Sequence, residues 1–425
     1  MHQRFAEFEM SRTRWTLPMC LYAGIQMALD AVASESERFE KVYDCLAGLF
    51  PKRRRCGVTL SGYHQALAAL PLEFFDSVRD RLKSVAEHYG LHLAKVGRWE
   101  AYGIDGSKEN LPRTQAHEEH YGIVTKGPGA AERLVVTAVT LRRYVLWDWA
   151  STNGLGSERA LALDLIQRLP LGALAVLDAG FMGYEWGLAA KASGRHFLVR
   201  VGGNVKFWID SLPAAEWHED QVWLWPDRKR TGAPLVLRLI KIELPCRNKR
   251  GKCQEMYLVT DVLESERLTR EEATTFYRKR WPASECTFRT WKKTLAAEKL
   301  ASRTPIMAEP ESEFSLCALM LLQMSICMAR RKQRRDRRRS SVARARRVWC
   351  KALRALARGR PTNQFQAKLS ECVVDRYRRR RPKVRRKWPV RKEHGSIKSP
   401  LLRKLGMRLK GLGLLRLEEQ KRATA

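Results

Sequence analysis

Two short apolar runs, each closing on an aspartate, constrain this chain more than anything else in it. Tyr102-Gly103-Ile104-Asp105-Gly106-Ser107 and Leu174-Ala175-Val176-Leu177-Asp178-Ala179-Gly180 both read as strand, acid, turn. The pattern places Asp105 and Asp178 at strand tips. A third acid, Glu285, lies in a segment that opens with Thr269-x-x-Glu272, a capping box, and is therefore helical. A lone aspartate at a strand end is ordinarily a turn former. Two strand-borne aspartates with one helix-borne glutamate, however, are a carboxylate set able to hold paired Mg²⁺, or Mn²⁺, with Asp105 bridging and Asp178 and Glu285 completing either side.

Around these acids the periodicity switches along the chain. Residues 1–97 show helical stripes, with Leu21, Ile25, Leu29 and Val32 on one and Phe74, Val78, Leu82 and Val85 on another. From Trp99 the texture is that of strands: Trp99 to Ile104, then two more between Leu134 and Trp149 around a turn near Leu141-Arg142-Arg143. A helix from Ser157, a strand from Leu171 to Asp178, a helix over Tyr184 to Ala192 and a strand over His196 to Val201 follow. The stretch from Gly203 to about Gln254 alternates at period two and reads as antiparallel strands. Met256 to Val262 then forms a further strand, and Leu268 begins the helix that carries Glu285.

Charge points to a polyanionic partner. Lys plus Arg number 80 against 45 Asp plus Glu, a formal net charge of +35. Residues 331–425 hold 34 of the former and 6 of the latter, a net of +28, which leaves +7 for the first 330 residues. Arginine clusters at Arg334 to Arg339 and Arg376 to Arg381 lie there among apolar residues at helical spacing, so basic helices that order on DNA or on a second protomer are expected. Pro51-Lys52-Arg53-Arg54-Arg55 is a basic turn suited equally to phosphate contact or to solvent. Ten cysteines without a CxxC pair fit reduced thiols in a cytoplasmic setting. Charged residues interrupt the N-terminal stretch where a secretory signal would lie. The longest apolar run, Phe314 to Ala329, falls short of the ~20 residues that span a bilayer and reads as a buried helix.

The segments IDGS at 104–107, LPRT at 111–114, LDAGFMGYE at 177–185, FLVRVGGNV at 197–205 and YRKRW...E...R..K at 277–292 together resemble a bacterial DDE transposase. The similarity is to the insertion-sequence-four family, whose signature is tyrosine, arginine, glutamate and lysine on one helix, and it runs from roughly Thr59 into the basic C-terminal region. The resemblance implies an α/β fold with a ribonuclease H-like catalytic core, interrupted by a mostly β insertion and flanked by helical regions. The corresponding divisions are a helical DNA-binding region at 1–97, a catalytic domain at 98–330 with its insertion at about 203–254, and a basic, largely helical region at 331–425. It further implies Asp105, Asp178 and Glu285 as catalytic metal ligands and Tyr277, Arg280, Arg289 and Lys292 as DNA contacts. The activity would be Mg²⁺-dependent cleavage at transposon ends and strand transfer into target DNA, in a nucleoid-associated homodimer with no membrane partner. Two alternatives remain at this point: a non-catalytic or decayed nucleic-acid-binding protein, and a metal-dependent nuclease using the same carboxylates.

One departure from the family pattern sits on the signature helix. Four residues separate Arg280 from Glu285 where the family has three, so Ser284 takes the expected position. At 100° per residue Tyr277, Arg280 and Ser284 share one face, while Glu285, Arg289 and Lys292 share another. Because Pro282 cannot donate to the carbonyl of Arg278, a π-bulge or kink there is expected to return Glu285 to the active face. Trp208, Trp217, Trp223 and Trp225 raise the further expectation of an indole stacking on an unpaired base, without choosing among the four.

Overall fold

A computed structural model describes residues 14–30, 34–49, 56–91, 93–123, 129–211, 217–226, 229–230, 232–247, 253–331, 340–374 and 398–424. The basic turn at Pro51 to Arg55 and both arginine clusters lie outside the described residues. In chain order the elements are α1 (Leu17–Leu29), α2 (Glu35–Leu49), α3 (Leu60–Ala68), α4 (Leu72–His88), β1 (Lys95–Val96), β2 (Trp99–Asn110), α5 (Gln115–Tyr121), β3 (Glu132–Thr140), β4 (Leu146–Asn153), α6 (Glu158–Arg168), β5 (Leu174–Leu177) and α7 (Tyr184–Ala192). They continue with β6 (His196–Val201), β7 (Lys206–Ile209), β8 (Glu219–Leu224), β9 (Leu235–Arg247), β10 (Cys253–Thr260), α8 (Arg270–Thr294), α9 (Pro305–Arg331), α10 (Val342–Ala357), α11 (Phe365–Ser370), β11 (Leu401–Lys404) and α12 (Met407–Thr424). Two compact units divide the chain, one of Met1–Ala94, Gly106–Ser157 and Pro282–Asp375, the other of Lys95–Asp105, Glu158–Trp281 and Arg376–Ala425.

The first unit is organised around α9, which packs against α1, α3, α4, α5, α10, α11 and β4. Its residues from Phe314 to Met320 are all buried, and a helix apolar on every side has to be an interior element. By length and composition α9 could cross a membrane, but most of it is buried within the protein. Gly24 sets the closeness of α1 to this helix, since a Cβ there would lie 2.4 Å from the ring of Phe314. Local start signals agree with the caps: Thr59 accepts from the Gly62 amide at the head of α3, and Thr114 from the His117 amide at the head of α5.

Buried polar groups inside the first unit gather around Arg133. The guanidinium of Arg133, fully buried on β3, donates to Glu109 at 3.0 Å, Glu309 at 2.6 Å, Glu313 at 3.2 Å and the hydroxyl of Ser151 at 2.7 Å. Trp149 donates its indole N–H to Glu313 at 2.8 Å, tying β4 to α9. Three carboxylates about one cation cannot all ionise freely. Burial pushes the Glu109 carboxyl up to about 7 against the opposing pull of Arg133, and raises Glu313 as well. His117, next to two glutamates in the sequence, accepts or donates through Nδ1 to the Pro112 carbonyl at 3.0 Å and is buried on α5.

In the second unit the strands run β2-β5-β6-β10-β9-β8-β7-β11. The pairs β2–β5 and β5–β6 are parallel, with Gly103 opposite Val176 and Leu177 opposite Val199. From β6 onward the pairing is antiparallel through β10, β9, β8 and β7. Parallel neighbours need a crossover, and α7 supplies it between β5 and β6. The stretch expected to be antiparallel strands therefore forms β7, β8 and β9, and β10 returns to pair with β6. The C-terminal segment holds a strand that periodicity did not suggest. β11 adds in parallel to β7, and Leu405, Leu409 and Leu417 cover a cluster of Trp208, Trp223 and Trp225.

Candidate active site

Asp178 follows directly on β5, as the strand, acid, turn reading required, and accepts from the Ala179 amide at 2.8 Å. Asp105 differs from expectation. It sits inside β2, which continues to Asn110 instead of turning at Gly106-Ser107. The small residues are tolerated in the strand because the side chains from 105 to 108 are only half-buried while the backbone stays in the ladder. Parallel pairing of β2 with β5 still brings the two aspartates to one region of the second unit.

What they converge on is Arg280. This residue, on α8, donates from Nη1 to Asp105 Oδ2 at 2.9 Å and reaches Asp178 Oδ2 with Nη2 at 3.5 Å. Its side chain is only 6% exposed, against 23% for Asp105 and 35% for Asp178. Tyr277, one turn earlier, donates its hydroxyl to Asp178 Oδ1 at 3.0 Å and lies under the Arg280 guanidinium at 5.3 Å. The capping box holds this helix at its start, with the Thr269 amide donating to Glu272 at 3.1 Å and the Glu272 amide to the Thr269 hydroxyl at 3.2 Å.

Arg200 completes the cluster, and sequence reasoning missed it. It donates from Nε to Asp178 Oδ1 at 2.5 Å. The signal was an arginine in the otherwise apolar run Phe197-Leu198-Val199-Arg200-Val201, and it becomes legible only with the register. Since Leu177 faces Val199, the next residues along the two parallel strands are Asp178 and Arg200.

Electrostatics follow from this crowding. Burial alone would raise the Asp178 carboxyl, but Arg280 and Arg200, with the Ala179 amide, hold it below the usual carboxylate range. Burial would conversely lower Arg280, and Tyr277, Asp178 and Asp105 keep it raised. Burial pushes the Tyr277 phenol up to about 12, so it acts as a hydrogen-bond donor at neutral pH. Two aspartates that converge on one cationic group from a half-exposed position are hard oxygen donors of the kind Mg²⁺ or Mn²⁺ accepts, with water or phosphate oxygens filling the other positions. Among the described residues no group of three or more His, Cys, Asp or Glu is placed to hold a metal ion.

The rest of the signature helix is arranged differently. α8 is α-helical from Arg270 through Pro282 to Thr294, so of the π-bulge or kink expected at Pro282 the π-bulge is absent. Ser284 is fully buried, whereas Glu285 and Arg289 are exposed. Lys292 is half-buried and donates to the Lys108 carbonyl at 2.5 Å. Burial lowers its ammonium, against the pull of Glu109, Glu298 and Glu132. Among the four tryptophans, Trp208, Trp223 and Trp225 are core, and only Trp217 is half-buried, tilted against Tyr257 at 6.2 Å.

Residues 116–321 match the profile of the transposase DDE domain. The domain match spans Asp178, Tyr277, Arg280, Glu285, Arg289 and Lys292, and it begins after Asp105. No curated protein matches the chain. Among solved structures, the cryo-EM piggyBac transposase synaptic complex with hairpin DNA aligns over 88% of this chain and 81% of its own. That alignment has a TM-score of 0.45 at 10% identity, a likeness too slight to argue from.

Proposed function

We propose that this protein is a DNA transposase that cuts phosphodiester bonds at the ends of a mobile element and joins the freed 3′-hydroxyl to target DNA, in the manner of the insertion-sequence-four family. The observation that carries this reading is the convergence of Asp105 and Asp178 on one cationic position beside a DDE domain match. Three strands followed by alternating helix and strand from β2 to β6 favour a ribonuclease H-like core. A divalent ion held by Asp105 and Asp178 would activate the attacking oxygen and stabilise charge on the leaving oxygen. The chain's own part is positional. Tyr277 and Arg200 fix the orientation of Asp178, and Arg280, bound to both aspartates, supplies fixed positive charge where a phosphate must approach. DNA is the partner that the +35 charge suits, and a homodimer would bring two ends together. Asp105→Asn tests the reading. Cleavage of end-bearing DNA should be lost while DNA affinity stays within about twofold of the parent, and equal loss of both would point to a binding role.

Glu285 is proposed as the third carboxylate, with Arg289 and Lys292 on its face of α8 as DNA contacts. A continuous α-helix leaves Glu285 about 100° from Ser284 and about 140° from Arg280, so its engagement requires α8 to rewind at Pro282 when DNA is bound. The buried Ser284 favours a second reading, a decayed copy that binds DNA without cutting it. Glu285→Gln separates the two. Loss of cleavage supports the carboxylate assignment, whereas an inactive parent rescued by Ser284→Glu supports decay.

A further inference from the structure

Within the first unit, α10 and α11 line a cleft of about 460 Å³. Helical spacing lays two adjacent stripes along α10. Arg347 and Lys351 form a cationic one and Val348 and Ala352 an apolar one, each pair four residues apart. Phe365 of α11 forms one wall, held edge-on by Trp349 with ring centroids 5.1 Å apart at 89°. Lys368 adds a third cation to the rim. Arg347, Lys351 and Lys368 are all exposed, and none pairs with a carboxylate among the described residues. Residues 342–374 contain eight Lys plus Arg and one acid, Glu371.

Three cations alone would suit any phosphate, and a duplex backbone would leave the concave apolar floor unused. The volume falls in the ~300–1,000 Å³ range of pockets that hold small organic groups, well beyond what a phosphate fills. An aromatic wall with an aliphatic floor beside a cationic rim is the combination that holds single strands, where each base offers an apolar face and each phosphate a charge. We propose that the α10–α11 cleft seats an unpaired nucleotide of a DNA strand. Its phosphate lies on Arg347, Lys351 and Lys368, and its base and sugar lie against Phe365, Val348 and Ala352. The proposal rests on the reading that this protein handles DNA, and it assigns the protein a single-strand site built from residues other than the carboxylates.

The test uses the full chain and a fluorescein-labelled oligothymidylate, with anisotropy titrations across a salt series. Arg347→Glu/Lys351→Glu/Lys368→Glu should weaken binding about 10-fold, and the slope of log K against log salt should become shallower by about 2, from three cations at ~0.7 each on single strands. Arg354→Glu/Arg358→Glu/Arg360→Glu, an equal charge change outside the cleft, should cost clearly less. Ala352→Trp fills the floor without altering charge, and with an unchanged circular dichroism spectrum it should weaken oligothymidylate binding several-fold while duplex binding holds. Wild-type affinity in Ala352→Trp, or equal losses in the two charge triples, would overturn the proposal. Should Asp105→Asn leave cleavage intact, the transposase reading would fall while a selective loss in Ala352→Trp still upheld the cleft.

Discussion

Arg280 contacts both aspartates with almost no solvent contact of its own, so removing its charge deprives two carboxylates of the cation they share. Breaking a buried pair costs ~3–5 kcal/mol, and the partial exposure of Asp105 and Asp178 brings the expectation for Arg280→Gln down to about 2 kcal/mol, readable in urea denaturation. The sign of the pH effect follows from Asp178. Its carboxyl is held below 3.8 in the folded protein, so the stability it contributes is present above that ordinary value and is lost as pH falls through the lowered one. Arg280→Gln should flatten this acid limb, and an unchanged limb would mean that other carboxylates dominate it. At this scale the two aspartates and the tyrosine–arginine pair that meet in the structure were legible in the sequence, and Arg200 was not. An acid before small residues leaves a local trace, whereas an arginine that matters only through its neighbour across a parallel ladder leaves none.

Elements carried by strong local signals were legible in the sequence. The helix over Tyr184–Ala192 and the strand over His196–Val201 occur at the bounds their patterns predicted, and the Thr269–Glu272 box caps α8. Thr269→Ala should therefore cost about 1 kcal/mol, and a thermal melt that did not move would show that packing alone holds the start of the helix. Two elements escaped. β2 runs on past Gly106 because its ladder outweighs the turn propensity of small residues. β11, four residues in a basic stretch, owes its conformation to β7, almost two hundred residues away in sequence, and no periodicity encodes that. The regular course of α8 through Pro282 likewise ran against a local argument. Proline removes one hydrogen bond there, yet Ala283 and Ser284 are fully buried, and packing on that face holds the helical register.

Over the whole molecule, charge and burial set separate responses. If ~6 phosphates are neutralised, non-specific DNA binding should show a salt slope of about −5. Because α10, α11, β11 and α12 are built into the two units, replacing the arginines at 334–339 and 376–381 with glutamine is a cleaner test than deletion. The slope should become shallower by several units, and an unchanged slope would assign those clusters to something other than DNA. Stability should also respond to pH through the Arg133 network. Glu109 is raised from 4.5 to about 7 on folding, so the folded state holds the extra proton between those values and stability falls as pH rises across that window. Glu109→Gln, which mimics the protonated form, should remove most of that decline. A decline of undiminished size would move its origin elsewhere.

The bridge between Arg280 and the two aspartates also bears on how the fold would fare without the proposed divalent ion. In many metalloproteins the bare ligand set repels itself, and stripping the ion loosens the fold. Here a side chain already serves as the counter-ion, so a cation taken up by Asp105 and Asp178 would join a charge balance already in place and would not have to assemble the site. Chelation with EDTA should therefore leave the melting temperature where it was, and Mg²⁺ should raise it little in the absence of DNA. A clear drop on chelation would show that the guanidinium does not carry the balance on its own.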